Sequence, residues 1–308
     1  MKCKLFFWLL MLCAESAFAQ VSRPQPGSEE YEKLVMLQTH YWRQYNNGDV
    51  KGAAKTLREM SALAPADPNI HMLRSTLFVQ PSNYFPDTAI AEISKAIAID
   101  STVPDFYFER AQLVWFLPGK DSHAKAAADY HKAVYVDSFY YPAINKLWIY
   151  YLGINQTQKS AQLRRLGLRK MKESISNDSL SAVKWYWLAE AWNDYLTNLS
   201  KPQKYDTVIY CYSRAIALDS TNCVYYFQRS HNYDCKTNCE KRINDLEKAI
   251  SLCPSPMYYT SLAATYDQFM KNPAKALQVL EQGLLLFPGE SQMTNYRNSI
   301  KKSNPGIK

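Results

Sequence analysis

The chain has 308 residues, with 36 Lys and Arg against 28 Asp and Glu, so its formal net charge is +8. That balance is only modestly basic for this size, and the densest basic run, residues 164–172, is typical of the solvated face of an amphipathic helix. Composition therefore argues against a nucleic-acid-binding protein. Length alone would allow one or two domains.

The first nineteen residues predict an export signal. Lys2 and Lys4 precede the apolar run 5–12, and an Ala-x-Ala sequence ends at residue 19. A basic start, a short apolar run and such a site form a secretory signal peptide. We therefore predict cleavage of residues 1–19 and an exported protein, periplasmic or secreted.

An alternative for this segment is a lipid anchor at Cys13. The residues before it loosely resemble a bacterial lipobox, although Leu12 stands where that motif usually has a small residue. Plain cleavage is favoured for that reason. The apolar run is too short to span a bilayer and no later run is long enough, so we predict no transmembrane segment after cleavage.

The mature chain is predicted to be helical almost throughout. Residues 20–28 contain Pro24 and Pro26 and predict a disordered lead-in, while residues 303–308 predict a flexible tail. Between them, residues 29–302 read as consecutive helical hairpins that form one continuous domain.

The first two hairpins are marked by turn residues. A helix from about Glu29 to Tyr45 is followed by a turn in which Gly48 supplies a left-handed cap, and the next helix ends before Pro65. The second hairpin has predicted helices at 68–79 and 87–99, joined by a long turn at 80–86.

The later hairpins follow the same plan. The third starts after Pro104 and turns at 117–122, and the fourth covers 139–176, with helices at 143–152 and 158–174. The second helix of the fourth hairpin lacks an Ala at the place where its neighbours have one. The fifth to seventh hairpins run from 182 to 288, and a final polar helix, 291–302, is predicted to cap the end of the array.

Small residues recur in the second helices. They stand at positions 96, 133, 215, 249 and 283, so the gaps are 37, 82, 34 and 34 residues. We read the long gap as two units of about 41, with a weakened copy between them. A repeat of about 34 residues is the period of tetratricopeptide arrays.

The residue pattern also resembles the tetratricopeptide-repeat family. The first helices carry a large residue before a small one, as at Leu188-Ala189 and Leu262-Ala263, and the second helices carry the small residues given above. The resemblance implies an all-α, right-handed α-solenoid of about seven helical hairpins with a C-terminal capping helix. It is specific for the fold and says little about function.

The same resemblance implies a binding surface. In this family the first helices line a concave groove that holds an extended peptide or a helix of a partner. Transferred by register, the implied partner-binding residues, here called the predicted groove set, are Phe108, Gln112, Trp115, Tyr186, Glu190, Asn193, Phe227, His231 and Asp234. The Lys and Asn residues with which some members hold a carboxylate terminus are absent there, so an apolar or basic partner segment is expected.

Five cysteines remain after cleavage, and all lie between 211 and 253: Cys211, Cys223, Cys235, Cys239 and Cys253. In an oxidising compartment one or two disulfides are expected, with an odd thiol left over. Cys223 and Cys253 should lie at the same end of one antiparallel hairpin, but the sequence leaves the pairing open.

His231, Cys235 and Cys239 are spaced by four residues, which is a possible spacing for a metal site. Zinc takes such ligands, but it usually has four, and the fourth is missing, so a surface His beside a cysteine pair is the favoured interpretation. No phosphate loop, His-Glu-x-x-His or Gly-x-Ser-x-Gly sequence occurs. We therefore predict no metal, no cofactor and no enzymatic activity.

The sequence thus predicts a protein–protein interaction scaffold of the bacterial cell envelope that binds a protein or peptide partner. The alternative is a receptor for a small molecule or glycan, with rings such as Trp115 and Tyr186 as stacking platforms. The sequence leaves the partner, the pathway and the oligomeric state open.

Overall fold

The structure is a computed structural model that describes residues 24–46, 48–81, 83–196 and 205–306. The predicted signal peptide, the candidate lipid site Cys13 and the turn of the fifth hairpin near Lys201 lie outside the described residues. Residues 24–28 form a turn that leads into the first helix, in which Ser28 Oγ accepts a hydrogen bond from the Tyr31 amide at 3.1 Å.

The described residues are all-α apart from one short strand pair. The helices form seven hairpins, α1/α2 to α13/α14, and a last helix, α15, as predicted. Their bounds are α1 Glu29–Asn46, α2 Val50–Leu63, α3 Pro68–Leu77, α4 Pro86–Ile99, α5 Pro104–Trp115, α6 Ser122–Val136, α7 Tyr141–Gly153, α8 Thr157–Asn177, α9 Ala182–Leu196, α10 Tyr205–Leu218, α11 Cys223–Ser230, α12 Cys239–Leu252, α13 Pro256–Ala264, α14 Pro273–Leu286 and α15 Ser291–Ser303.

Two local features interrupt this pattern. The long turn of the second hairpin contains strands β1 Val79–Gln80 and β2 Asn83–Tyr84, which pair antiparallel. Helix α13 continues into one π-helical turn, Thr265–Phe269. Gly48 has the left-handed conformation predicted for it, with φ of 76°, and the amide of Asp49 donates to the carbonyl of Gln44 at 2.9 Å, which closes the end of α1.

The chain divides into two compact units, residues 1–170 and 171–308. In the first unit each helix from α1 to α6 packs on the next along the chain, and in the second the same holds from α9 to α15. Each unit therefore buries its apolar surface between successive helices, as a repeat protein does.

Small residues in the second helices make this close packing possible. Ala96, Ala133, Ala215 and Ala249 are fully buried. Gly283 takes the same role in α14, where a β-carbon would lie 2.8 Å from Cγ of Tyr259. These positions let neighbouring helices approach each other, which is the physical meaning of the repeat.

The fourth hairpin corrects one detail of the sequence analysis. Its small residue is Gly167, where a β-carbon would lie 2.7 Å from Cε2 of Tyr141 and 3.3 Å from Cγ2 of Ile144. The gap of 82 residues therefore divides into 34 and 48, not into two units of about 41. The second interval is longer because α8 continues for ten residues beyond Gly167, whereas α6 ends three residues after Ala133.

A recurring ion pair joins the two helices of a hairpin and the hairpin before it. In the third hairpin Arg110 donates from Nε and Nη2 to both carboxylate oxygens of Asp129, each at 2.7 Å, and from Nη1 to Ser94 of α4 at 3.2 Å. Within the described residues, an Arg, an acid and a preceding Ser are joined in this way three times, with a single hydrogen bond to the acid in the first case and two in the others: Arg74 with Glu92 and Ser61, Arg110 with Asp129 and Ser94, and Arg229 with Asp245 and Ser213. A bidentate pair of this kind fixes both the distance and the angle between the helices.

The sixth hairpin is also joined covalently. Cys223, the first residue of α11, forms a disulfide with Cys253, which follows the last residue of α12, and their α-carbons are 6.0 Å apart. This confirms that the two cysteines lie at the same end of the hairpin. Among the described residues, none of the helices is both long and apolar enough to cross a membrane.

Candidate functional site

The first helices begin in a common way, which fixes their register. The Asp100 carboxylate accepts a hydrogen bond from the Thr102 amide at 2.8 Å just before α5, and the Asp137 carboxylate accepts one from the Phe139 amide at 2.8 Å just before α7. Such turns satisfy free amides before a helix starts. Residues of α5 and α7 that occupy equivalent places are therefore 37 positions apart.

Most rings of the predicted groove set lie in the core. Phe108, Tyr186 and Phe227 are at most 8% exposed. Each ring contacts a Tyr at or near the start of the next first helix: Phe108 with Tyr140, Tyr186 with Tyr225, and Phe227 with Tyr258, with centroids 5.7, 5.4 and 4.5 Å apart respectively. The rings thus act as spacers between hairpins, and little of their surface is open to a partner.

The polar residues at the next register position are used inside the hairpins. Gln112 is buried, and its Oε1 accepts a hydrogen bond from the hydroxyl of Tyr130 at 2.7 Å. Glu190 is the equivalent residue of the fifth hairpin, and it accepts a hydrogen bond from the hydroxyl of Tyr212. In both hairpins, therefore, an acceptor on the first helix holds the hydroxyl of a Tyr on the second helix.

The remaining members reach the surface to different degrees. Trp115 is half-buried, with its ring stacked on His123 at a centroid distance of 4.2 Å. Asn193 is half-buried and hydrogen-bonds Tyr212. His231 is exposed and its Nδ1 lies 2.9 Å from the carbonyl oxygen of Phe227.

Asp234, the last member, lies in the turn after α11. It is exposed, and its Oδ1 accepts a hydrogen bond from the amide of Lys236 at 3.0 Å. The partner-binding role of the predicted groove set remains a prediction. Its exposed members are candidates for contact, whereas its buried members stabilise the fold.

Burial changes the acidity of groups on the first helices. In the first unit, burial and the nearby Asp105 raise the pKa of Glu109 to about 8, although Lys146 acts in the opposite direction. In the second unit, burial raises the pKa of Glu190 to about 7, the hydrogen bond from Tyr212 lowers it, and Asp194 raises it further. These carboxyl groups are partly neutral near pH 7 because burial removes much of the water that would stabilise their charge.

The predicted groove set contains no residue of the fourth hairpin, because that hairpin matches the repeat poorly. The 37-residue offset assigns Ile149 to the place of Gln112 and Leu152 to the place of Trp115. Both are large aliphatic residues that are open to solvent, 37% for Ile149 and 47% for Leu152. The Asp-Ser sequences at 100 and 137 would have allowed this assignment from the sequence alone.

Trp115, Ile149 and Leu152 are together called the apolar patch. Helices α5 and α7 are adjacent where these residues lie, since the ring centroids of Trp115 and Tyr150 are 6.3 Å apart. Ile149 and Leu152 are three residues apart on α7 and so share one face. Ile149 and Leu152 are therefore exposed apolar residues on one face of α7, and the half-buried Trp115 of α5 contacts the same helix through Tyr150.

His231, Cys235 and Cys239, the three residues of the possible metal site, do not lie on one helix. Helix α11 ends at Ser230, so the sequence from His231 to Cys239 crosses a turn and does not follow one helical face. In the part of the chain that the structure describes, no group of three or more His, Cys, Asp or Glu residues could hold a metal ion.

No protein-family model matches the chain, and no curated protein matches it in sequence. The chain does resemble solved tetratricopeptide-type structures. It matches yeast Tom70 with a TM-score of 0.57 and 18% identity over 90% of this chain and 56% of that one. It matches the Cut9–Hcn1 hetero-tetramer of the APC/C with a TM-score of 0.54 and 14% identity over 85% and 48%.

A third match covers both chains more evenly. A tetratricopeptide repeat protein from Parabacteroides merdae ATCC 43184 gives a TM-score of 0.50 and 14% identity over 89% of this chain and 99% of that one. The chain thus spans about half of the first two proteins and nearly all of the third. Helix order, hairpin register and these likenesses identify the chain as an all-α solenoid with the tetratricopeptide-repeat fold.

Proposed function

We propose that the protein is a non-enzymatic interaction scaffold, and that the apolar patch binds an apolar segment of a partner protein. The observation that carries this proposal is the exposure of Ile149 and Leu152 on one face of α7, the helix whose Tyr150 contacts Trp115 of α5. An exposed apolar cluster on a rigid element is typical of a protein interaction site.

The patch is held ready for binding. The Trp115 ring is fixed between His123, on which it stacks, and Tyr150, which it meets edge-on. Ile149 and Leu152 lie within a regular helix that packs on α6. Because the helix and the Trp115 ring are already held in place, a partner would lose little affinity to the cost of ordering them.

The turn after α11, in the second unit, has a different chemistry. Asp234 is exposed there and is a candidate contact for a partner. We propose that this surface favours basic residues of a partner. The leader sequence supports export, so we further propose that the partner is a protein of the bacterial cell envelope or of the exterior.

The small-molecule alternative has less support. Tyr186, one of its two proposed platforms, is 3% exposed and lies between the rings of Tyr212 and Tyr225. Such a ring has no open face on which a ligand could stack. Trp115 has one face covered by His123. The observations thus favour a macromolecular partner.

The proposal is tested by site-specific photo-cross-linking in cells that express the full chain. A photoreactive phenylalanine replaces Ile149 or Leu152, and Tyr135 on α6, which is 81% exposed, serves as the matched control position. We expect the same partner protein to cross-link from both α7 positions and not from position 135.

A pair of variants provides the second arm. The double variant Ile149→Glu, Leu152→Glu should no longer recover that partner, whereas Tyr135→Glu should still recover it. Circular dichroism confirms that both variants are folded. Equal cross-linking from all three positions, or equal recovery by both variants, would overturn the proposed site.

A further inference from the structure

The sixth hairpin contains two thiols for which the fold suggests a role. Of the five cysteines after residue 19, Cys223 and Cys253 are joined in a disulfide and Cys211 is buried in α10. Cys235 is partly exposed in the turn between α11 and α12, and Cys239 is buried at the first position of α12.

The backbone brings these two thiols together. The amides of Thr237 and Asn238 both donate to the carbonyl of Asp234, at 3.2 and 2.7 Å, so the chain from 234 to 238 forms a helix-like turn. Residues 235 and 239 are then neighbours one turn apart, and their side chains are in hydrogen-bond contact. In a regular helix such neighbours have β-carbons about 5–6 Å apart.

A disulfide requires β-carbons about 4 Å apart, so closing the bond needs a movement of only about 1–2 Å. The turn can provide it, because Cys235 lies outside regular helix and is partly exposed, whereas Cys239 is held in α12. Cys211 is in the interior of α10 and is 2% exposed, so it is poorly placed to form a disulfide with Cys235 or Cys239.

We propose that Cys235 and Cys239 form a second disulfide, by exchange with a small-molecule disulfide of the glutathione type. The thiolate of one cysteine attacks a sulfur of the oxidised reagent, forms a mixed disulfide and releases one reduced thiol. The second cysteine then attacks the protein sulfur of that mixed disulfide, forms the Cys235–Cys239 bond and releases the second reduced thiol. Two protein thiols are oxidised, one reagent disulfide is reduced, and both thiol protons pass to the released thiols or to water.

The bond would close the sixth hairpin at both ends. Cys223–Cys253 joins its open end, and Cys235–Cys239 would fix the turn that contains Asp234 and follows His231. The exchange is expected to be slow at neutral pH, because burial and the neighbouring Cys239 raise the pKa of Cys235 to about 12. A slowly formed bond of this kind is a structural disulfide and not a redox catalyst.

The sequence allows a direct assay. Trypsin cleaves after Lys236, between the two cysteines, and each of the five cysteines falls on a separate tryptic peptide. The full chain is incubated with oxidised and reduced glutathione at pH 8.5, its remaining thiols are alkylated, and it is digested without reduction. We expect one cross-linked peptide, residues 230–236 joined to 237–241, and the separate Cys223–Cys253 peptide pair.

Variants decide whether the bond is the one proposed. Cys211→Ala should retain the cross-linked peptide, whereas Cys239→Ser should lose it and convert Cys235 to a mixed disulfide with glutathione. Cys235 and Cys239 found only as separate glutathione adducts or alkylated thiols in the unmodified chain would overturn the proposal. Cross-linking of either residue to Cys211, Cys223 or Cys253 would overturn it as well.

Discussion

Arg229 of α11 holds Asp245 of α12 through two parallel hydrogen bonds, Nε to Oδ2 at 2.8 Å and Nη2 to Oδ1 at 2.7 Å. The third nitrogen, Nη1, donates to Ser213 of the preceding hairpin at 2.9 Å. Arg110 makes the same three contacts in the first unit. One side chain therefore joins three helices, and its loss should weaken more than one contact.

Arg229→Ala is expected to lower the free energy of unfolding by about 3 kcal/mol, because it leaves the Asp245 carboxylate buried without its partner. Urea titration followed by circular dichroism measures the effect. Lys184→Ala is the matched control, since the Lys184–Asp178 pair is more exposed and should contribute less than about 1 kcal/mol. Equal losses for the two variants would contradict this role for Arg229.

Gly283→Ala is expected to destabilise the protein by about 1–3 kcal/mol, although Ala normally favours a helix over Gly. The added β-carbon would lie 2.8 Å from Tyr259 Cγ and 2.9 Å from Met293 Sδ, both in buried residues. Gly153→Ala at the end of α7 is the control, because a β-carbon there meets nothing within 4 Å. The thermal unfolding midpoints of the two variants provide the comparison. A Gly283→Ala protein more stable than the wild type would contradict the close packing of Gly283 against Tyr259.

Phe227→Ala is expected to cost about 3–5 kcal/mol, because the ring is 8% exposed and fills the space against Tyr258. Phe85→Ala, at a residue that is 57% exposed, should change stability by less than about 1 kcal/mol. The urea midpoints of the two variants provide the comparison. A Phe227→Ala protein as stable as the wild type would show that the ring does not act as a spacer.

Glu190 should make the stability of the second unit depend on pH. Its pKa is raised from 4.5 to about 7, so below pH 4.5 the group is neutral in both the folded and unfolded states and has no destabilising effect. As pH rises from about 4.5 to 7 the unfolded state loses this proton first, and stability falls by up to about 3 kcal/mol.

Glu190→Gln should remove that dependence and raise stability at pH 8. The substitution keeps an acceptor for the Tyr212 hydroxyl, as Gln112 does for Tyr130 in the third hairpin. Urea titrations of both proteins at pH 5 and pH 8 test this. A variant that loses as much stability as the wild type between these pH values would contradict the raised pKa.

The sequence predicted most of the helix pattern because its determinants are local. Pro104 and Pro273 at helix starts, Gly48 at a helix end and the Asp-Ser or Asp-Thr turns act within a few residues of where they stand. The fourth hairpin was misread because Gly167 replaces the expected Ala. Only the contact with Tyr141 shows that this Gly has the same role.

The candidate site was less predictable. Register assigns Trp115 to the predicted groove set, but it does not show that Phe108, Tyr186 and Phe227 are covered by rings from the next hairpin. That burial depends on residues about 30 to 40 positions further along the chain, so no local pattern reveals it. The Asp-Ser register assigns Ile149 and Leu152 to a first helix, but their exposure, which makes them candidates, is seen only in the structure.

The sequence by itself determined the repeat, the number of hairpins and the residue types that allow close helix packing, because these follow from spacing and side-chain size. The tertiary structure decided which aromatic rings are spacers and which are exposed. It also decided that Cys223 pairs with Cys253 and that the Arg229 guanidinium joins three helices. Those outcomes depend on distances between residues remote in sequence, which exist only once the hairpins have packed.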